Sequence, residues 1–316
     1  MIQGWMLAGA TALALLGATG AAMAEKLTIV ATTGMIADAA AKVGGERVEV
    51  RALMGPGVDP HTYRQTRSDI EAMLGADAVF WHGLYLEAQL EELLQKLATQ
   101  KPVVALAEGI AQDQLLGSAD YAERPDPHVW MDPQLWTEVV SAARDALTEI
   151  DPESADLYAA NAEAHLAEIE ALSGYSTEVL ASVPQEKRVL ITAHDAFNYF
   201  GNAYGYEVMG IQGISTESEA GLAGIEALVS VLVERKIGAI FVESSVSDRN
   251  VRALIEGAAA KGHQVTIGGT LFSDAMGEPG SYEGSYIGMI DHNVTVIARA
   301  LGGAAPEAGM QGNLGQ

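Results

Sequence analysis

The chain has 316 residues, of which 49% are hydrophobic and 19% charged, so it is long enough for two domains with sizeable cores. Its net charge of −24 disfavours nucleic acid and anionic membranes as partners and gives an attractive field for cations. It has no cysteine, which excludes disulfides and a lipid-attachment cysteine.

The N-terminus has the features of a secretory signal peptide, although no Lys or Arg precedes its apolar run. Residues 5–18 are almost wholly apolar, no acid or base occurs before Glu25, and Ala-Met-Ala at 22–24 is a small-x-small cleavage signal. The run is too short and too rich in Ala and Gly for a good membrane span. We therefore predict a signal peptide at 1–24 and a periplasmic mature protein without a membrane anchor.

The first half of the mature chain alternates strand-like and helix-like segments. This alternation predicts an α/β fold with mostly parallel sheets. We expect an N-terminal α/β lobe over residues 25–150. Its predicted strands are 27–32, 48–54, 78–81 and 102–106, and 87–97 is an example of a helix between them.

A single long helix is predicted between the two halves, over residues 151–184. Asp151 is a suitable N-cap, Pro152 suits the first helical position, and Pro184 ends the helical pattern. Gly174 in the middle is a candidate kink. About 30 residues would span about 45 Å, enough to run the length of a two-lobed molecule.

The second half repeats the alternation, which predicts a C-terminal α/β lobe over 185–303 followed by a flexible tail over 304–316. The expected strands are 189–192, 207–211, 239–242 and 264–267, and the expected helices are 221–236, 248–261 and 287–301.

Four candidate metal ligands stand at wide, near-regular intervals: His61, His128, His194 and Asp274. They are separated by 67, 66 and 80 residues, too far apart for a local motif. Each follows a strand-like run or stands beside a proline, and open α/β sheets bind ligands beyond the carboxyl ends of their strands. Three imidazoles and a carboxylate form a complete four-ligand set for a divalent transition metal.

Two of these donors occur in the same tripeptide, Asp-Pro-His. One copy lies in 55–63 (GPGVDPHTY) and the other opens 126–133 (DPHVWMDP). Proline and glycine hold such loops in defined, non-helical conformations, which reduces the entropy lost on coordination. The repeated tripeptide therefore favours the prediction that both segments are metal-binding loops.

Other polar residues are weaker candidates. His82 also follows a strand and is the one plausible additional ligand. Glu243 and Asp195 could orient an imidazole by accepting its N–H. His165 on the long helix and His263 in a turn are expected to be solvated.

Seven segments together resemble the TroA-like (cluster A-I, ZnuA-like) solute-binding proteins of ABC importers. They are 55–63, 126–133, 191–201, 213–218, 241–245, and 271–277 with 286–293. The resemblance implies two α/β lobes joined by one backbone helix, with the metal between them. It also implies an ABC permease and its ATPase as partners, and we expect a monomer.

By motif, the four family ligands match His61, His128, His194 and Asp274, two from each lobe. The implied cargo is manganese, zinc or iron. Three imidazoles suit Zn²⁺, whereas zinc-specialised members often carry a His-rich loop before the second ligand, and residues 108–127 contain no His. We therefore predict manganese and/or zinc as the transported ligand.

The alternative is a zinc-dependent hydrolase that uses the same His/Asp site. A catalytic zinc usually keeps an open position for water, whereas a fourth protein ligand would close this site. No His-Glu-x-x-His motif occurs, so we predict a binding protein and not an enzyme. Bound imidazoles must be neutral, so affinity should fall as the pH drops through about 6.5.

Overall fold

The computed structural model describes residue 1 and residues 25–118 and 124–315. The predicted signal peptide, apart from its first residue, lies outside the described residues. Within them, no helix combines the length and the apolar character that a membrane span requires.

The first half contains a four-stranded parallel sheet in the order β2-β1-β3-β4. β3, with the sequence Ala-Val-Phe-Trp, is buried at all four positions, as expected for a parallel sheet covered on both faces. The four predicted strands are confirmed, and all but the third are shorter than predicted. Their bounds are β1 Leu27–Ala31, β2 Val48–Ala52, β3 Ala78–Trp81 and β4 Val103–Ala105.

Four helices of the described residues accompany this sheet, and three of them begin at side chains that cap free backbone N–H groups. Thr33 and Asp132 each accept such an N–H, and Thr66 forms a reciprocal capping box with Asp69. The helices are α1 Gly34–Gly44, α2 Arg67–Gly75, α3 Glu91–Ala98 and α4 Pro133–Ile150.

One long helix, α5, joins the halves as predicted. The predicted N-cap Asp151 is wrong, because a 3₁₀ turn at Pro152–Ser154 comes first and Ser154 is the N-cap of α5. α5 itself runs over the 27 residues Ala155–Ala181. At about 1.5 Å per residue it is about 40 Å long. It packs against α1, α4 and the last helix of the chain. Gly174 does not interrupt it.

The second half contains two pairs of parallel strands, β5 with β6 and β7 with β8, and β5 lies beside β7. The strands are β5 Val189–Thr192, β6 Glu207–Gly210, β7 Ala239–Glu243 and β8 Thr266–Leu271. The helices are α6 Asn198–Tyr204, α7 Leu222–Arg235, α8 Arg249–Ala260 and α9 Tyr286–Ala300. The α/β fold class with parallel sheets is confirmed.

The predicted end of the eighth strand, at residue 267, is wrong, because β8 continues through two glycines to Leu271. Glycine is required at 268 by close packing. A Cβ there would lie 2.7 Å from the Phe241 ring and 2.9 Å from the Ala300 methyl group. The Gly-Gly pair therefore allows β7 and α9 to approach β8 closely, and it does not end the strand.

The segment predicted as a flexible tail, 304–316, has defined partners over its described part. The backbone N–H of Met310 donates to both carboxylate oxygens of Asp291 in α9, at 3.0 and 2.9 Å. The N–H of Ala304 donates to the Ser182 hydroxyl at the end of α5, at 2.8 Å. These bonds hold the segment against α5 and α9.

Candidate metal centre

The four predicted ligands lie in four separate loops that meet between the two halves of the molecule. His61 follows β2, His128 precedes a 3₁₀ turn that leads into α4, His194 follows β5, and Asp274 follows β8. All four are buried, and one ligand atom from each lies within 4.8 Å of the others. The fold therefore gathers the whole set that the sequence singled out.

The donor atoms face one another at short distances, and His61 Nε2 lies 3.8 Å from Asp274 Oδ2. His128 Nε2 lies 3.3 Å from His61 Nε2 and 3.4 Å from His194 Nε2. Asp274 Oδ2 lies 3.1 Å from His194 Nε2, and its Oδ1 lies 3.5 Å from His128 Nε2. Ligand atoms about 2.0–2.1 Å from a tetrahedral zinc ion lie about 3.3 Å from one another. The observed spacing suits an ion of this size at the centre.

Asp274 has a carboxylate that the protein leaves without hydrogen bonds. Both of its oxygens are buried and lack a hydrogen-bond partner among the described residues. A buried carboxylate is costly unless a positive charge or hydrogen-bond donors compensate it. Because three imidazole nitrogens face this group, the compensating charge must be a protonated imidazole or a cation held among them.

His128 and His194 are each oriented by a second carboxylate. His128 donates its backbone N–H and its Nδ1–H to Asp126 Oδ1, at 3.0 and 2.6 Å. His194 donates the same two groups to the Oε1 and Oε2 atoms of Glu243, at 2.8 and 2.5 Å. The proton on Nδ1 turns the Nε2 lone pair of each ring towards the centre, as in many metal-binding histidines.

His61 is held through its backbone and not through its ring. Its N–H donates to Asp59 Oδ1 at 2.9 Å, and Asp59 Oδ2 accepts the hydroxyl groups of Thr62 and Thr216. Pro60 separates the two residues and stiffens the turn. Among the described residues, no carboxylate accepts an N–H from the His61 ring.

The protonation states of the site follow from its carboxylates. Burial lowers the pKa of His128, but the charge and hydrogen bond of Asp126, together with the charge of Asp274, outweigh it and raise the pKa to about 9. In the same way Asp274 and Glu243 raise the pKa of His194 well above its usual value. Burial raises the pKa of Asp274, but His194 and His128 together hold it well below its usual value.

His61 has the opposite character, because burial lowers the pKa of its imidazole to about 3. Without a metal at neutral pH, His128 and His194 therefore carry protons, His61 is neutral and Asp274 is ionised. Coordination through Nε2 must displace the protons from His128 and His194. The protons thus compete with a metal for the same atoms.

Two hydrogen bonds of Trp130 connect its loop, in the first half of the chain, to residues of the second half. The sequence analysis predicted neither bond. The Trp130 indole N–H donates to the Ser273 carbonyl at 2.8 Å, and the Tyr286 hydroxyl donates to the Trp130 carbonyl at 2.9 Å. These partners are separated by 143 and 156 residues along the chain. The sequence signal was that all three residues lie in the segments that carry the family resemblance, 126–133, 271–277 and 286–293.

The remaining histidines lie outside the four-donor group. The prediction that His165 is solvated is wrong, since only 3% of it is exposed and its helix packs against α1 and α9. His263 is partly buried, and its Nε2 lies 2.7 Å from the Ile237 carbonyl. His82 is fully buried and contacts the second binding loop instead of the centre. Of the two orienting candidates, Glu243 contacts a ligand ring.

The chain is similar to proteins of one family. The model of ZnuA, described as "Zinc-uptake complex component A periplasmic", matches residues 29–300. The manganese-binding lipoprotein MntA of Bacillus subtilis is 46% identical over 277 residues, which cover 88% of this chain and 90% of MntA. The zinc-binding protein TroA of Treponema pallidum is 44% identical over 285 residues, which cover 90% of this chain and 92% of TroA.

A solved structure agrees with these relatives. The periplasmic zinc-binding protein TroA from Treponema pallidum superposes with a TM-score of 0.85 at 43% identity. The superposition covers 87% of this chain and 99% of that one. The resemblance predicted from the sequence motifs is therefore confirmed.

Proposed function

This chain belongs to the ZnuA family of periplasmic zinc-uptake components, and we propose that it captures a divalent transition metal for an ABC importer. The ion would be bound by His61, His128, His194 and Asp274. It is cargo, which the protein holds and passes on without chemical change. The family consists of substrate-binding proteins, and the hydrolase alternative finds no support in it.

The observation that carries the proposal is the unsatisfied carboxylate of Asp274 among three inward-facing imidazole nitrogens. Its oxygens are buried and form no hydrogen bond among the described residues, and the nearest Nε2 atoms, of His194 and His128, lie 3.1 and 3.5 Å away. A cation at this centre would satisfy every donor at once. Four protein ligands would also leave no open position for a reacting water, which supports capture over hydrolysis.

Manganese and zinc both fit the proposal. Three nitrogen donors and one carboxylate are a ligand set that zinc prefers, and zinc also ranks above manganese in intrinsic affinity. The relatives argue for both ions, because the MntA protein is named for manganese and the TroA protein for zinc. The absence of His from residues 108–127 keeps manganese in the proposal.

The proposed partners are a membrane permease and its ATPase, and the proposed location is the periplasm. MntA is named a lipoprotein. The unanchored state of this chain therefore stays a prediction, as does its monomeric state. Fractionation of its own cells tests the first, since an anchored protein would sediment with the membranes. Light scattering of the purified protein tests the second.

We also propose the division of the chain that its alternating pattern predicted. Residues 25–150 would form one lobe, 151–184 the linking helix and 185–303 the other lobe. The four-stranded sheet, α5 and the paired strands β5–β8 support these limits. Limited proteolysis would test them, because cleavage should concentrate outside the two lobes.

The function is tested by metal analysis of the protein purified from its own periplasm. We expect about one transition-metal ion per chain. A His128→Ala variant should lose it, whereas His263→Ala should keep it, because the His263 ring lies outside the four-donor group, with its Nε2 2.7 Å from the Ile237 carbonyl. Hydrolytic turnover that disappears together with the metal would overturn the proposal in favour of an enzyme.

A further inference from the structure

His82 is a fully buried histidine that lies behind the metal centre. It follows β3, and its ring meets the Trp130 ring edge-on, with centroids 5.0 Å apart. On its other side it lies parallel to the Trp136 ring at 6.5 Å. Its Nε2 atom lies 2.7 Å from the carbonyl oxygen of Pro127, the residue before His128.

The hydrogen bond to Pro127 determines the state of the His82 ring. A carbonyl oxygen only accepts, so Nε2 must carry the proton. Burial lowers the pKa of this imidazole to about 3, so the ring is neutral and Nδ1 has no proton. Nδ1 is buried and has no hydrogen-bond partner among the described residues.

An unsatisfied buried nitrogen destabilises the fold, and phenylalanine would pack between the two tryptophans without that cost. What phenylalanine could not do is donate to Pro127. The advantage of histidine over phenylalanine at position 82 is therefore this single hydrogen bond to the Pro127 carbonyl. Its backbone is also fixed, because the His82 N–H donates to the buried Glu87 carboxylate at 2.8 Å.

The bond acts on the stretch of chain that carries His128. The Pro127 carbonyl is held by His82, and the preceding carbonyl, of Asp126, accepts the Tyr199 hydroxyl at 2.8 Å. The Asp126 side chain in turn binds the ring and backbone of His128. Two successive carbonyls are thus fixed from opposite halves of the molecule, immediately before the ligand.

We propose that His82 is a positioning residue for metal binding, which holds the Pro127 carbonyl so that His128 Nε2 stays aimed at the centre before a metal arrives. This role rests on the proposed function. It assigns His82 no contact with the ion. It predicts that affinity depends on an N–H donor at the position of Nε2, and not on the aromatic ring.

The test compares variants that separate the donor from the ring. His82→Phe keeps a ring between the tryptophans and removes the donor. His82→Gln places an amide N–H near the position of Nε2, whereas the shorter His82→Asn does not reach it. The control is His263→Phe, which removes an equivalent ring hydrogen bond to a carbonyl, that of Ile237 at 2.7 Å, away from the centre.

Zn²⁺ affinity is measured by competition with a chromogenic chelator, alongside the visible spectrum of bound Co²⁺ and the melting temperature of the metal-free protein. We expect His82→Phe and His82→Asn to bind Zn²⁺ about 10-fold more weakly and to change the Co²⁺ spectrum. His82→Gln and His263→Phe should keep the wild-type affinity and spectrum. A purely structural role would lower melting temperatures without moving either readout.

Each outcome bears on a different claim. Unchanged affinity and spectrum in folded His82→Phe would overturn the positioning role, and so would a loss in His82→Gln as large as in His82→Phe. Should His82→Phe not fold, His82→Asn against His82→Gln decides in the same way. Failure of the wild-type protein to bind Zn²⁺ would instead overturn the proposed function, and the role of His82 with it.

Discussion

Trp130 donates its indole N–H to the carbonyl oxygen of Ser273, 2.8 Å away, and so ties the second binding loop to the fourth. Trp130 follows His128 by two residues, and Ser273 immediately precedes Asp274. One hydrogen bond thus links the loop that carries His128, in the first half of the chain, to the loop that carries Asp274, in the second half. This contact between the two loops does not depend on a bound metal.

Trp130→Phe should therefore destabilise the fold more than Trp136→Phe. Both side chains are fully buried, but Trp136 Nε1 has no hydrogen-bond partner among the described residues, so the second variant removes the same atoms without a bond. We expect a difference of about 1–3 kcal/mol in the free energy of unfolding, the cost of leaving the Ser273 carbonyl unpaired. Urea denaturation of the metal-free proteins measures it, and equal losses would contradict the assignment.

Glu243→Gln should weaken metal binding by about 10–100-fold. The substitution keeps the shape of the side chain but removes the charge that makes His194 a stronger ligand and fixes its Nδ1 proton. Isothermal titration with Zn²⁺ checks the change. Glu256→Gln on the exposed face of α8 is the control and should leave affinity unaltered. Equal affinities in all three proteins would show that Glu243 does not orient His194.

Asp274→Asn should abolish tight binding, because it removes the only carboxylate of the four donors. It should also lower the pKa of His194, since Asp274 is the main group that raises it. Zn²⁺ titration and NMR titration of the imidazole resonances measure the two effects. Asp145→Asn, at an exposed carboxylate that pairs with Arg144, is the control, and we expect it to keep the metal. A variant that lost affinity with no change in the His194 pKa would argue against the charge coupling.

Metal affinity should rise with pH up to about 9, the raised pKa of His128. A proton must leave His128 and another must leave His194 for each ion bound, so the window extends above the ordinary value of 6.5 that the sequence alone suggested. Calorimetry in buffers of different ionisation enthalpy should detect up to two protons released per ion at pH 7. Release of no protons would contradict the protonation states.

The metal-free protein should show the opposite trend. The folded pKa of His128 lies above its usual 6.5, so the stabilisation it gives is complete below pH 6.5 and is lost as pH rises through about 9. The gap in melting temperature between zinc-loaded and metal-free protein should therefore widen from pH 6.5 to 9. Melting curves at matched ionic strength measure the gap, and a constant gap would contradict the linkage.

The proposed ligands were predictable because each donor lies at the end of a strand-like run or directly after an Asp-Pro pair. His194 and Asp274 follow strand-like runs, and His61 and His128 follow Asp-Pro. Parallel strands bring strand-exit positions of one sheet to one edge, and the family resemblance implied that the donors of the two halves meet. The long helix was predictable from its local periodicity, whereas its predicted N-cap, Asp151, was wrong, because a 3₁₀ turn at Pro152–Ser154 comes before the helix.

The contacts that hold the centre were not predictable in this way. The partnership of Trp130 with Ser273 joins residues 143 positions apart and leaves no mark in either local pattern. His82 had the position of a ligand at a strand exit, and only the packing of Trp130 and Trp136 shows that it faces Pro127. The burial of His165 likewise depends on which helices cover α5.

The central claim is tested most directly by locating the bound ion in crystals of the zinc-loaded protein from its anomalous scattering. We predict one peak per chain, about 2.0–2.2 Å from the Nε2 atoms of His61, His128 and His194 and from a carboxylate oxygen of Asp274. A peak elsewhere, or one that lacks any of these four ligands and carries water in its place, would contradict a closed capture site.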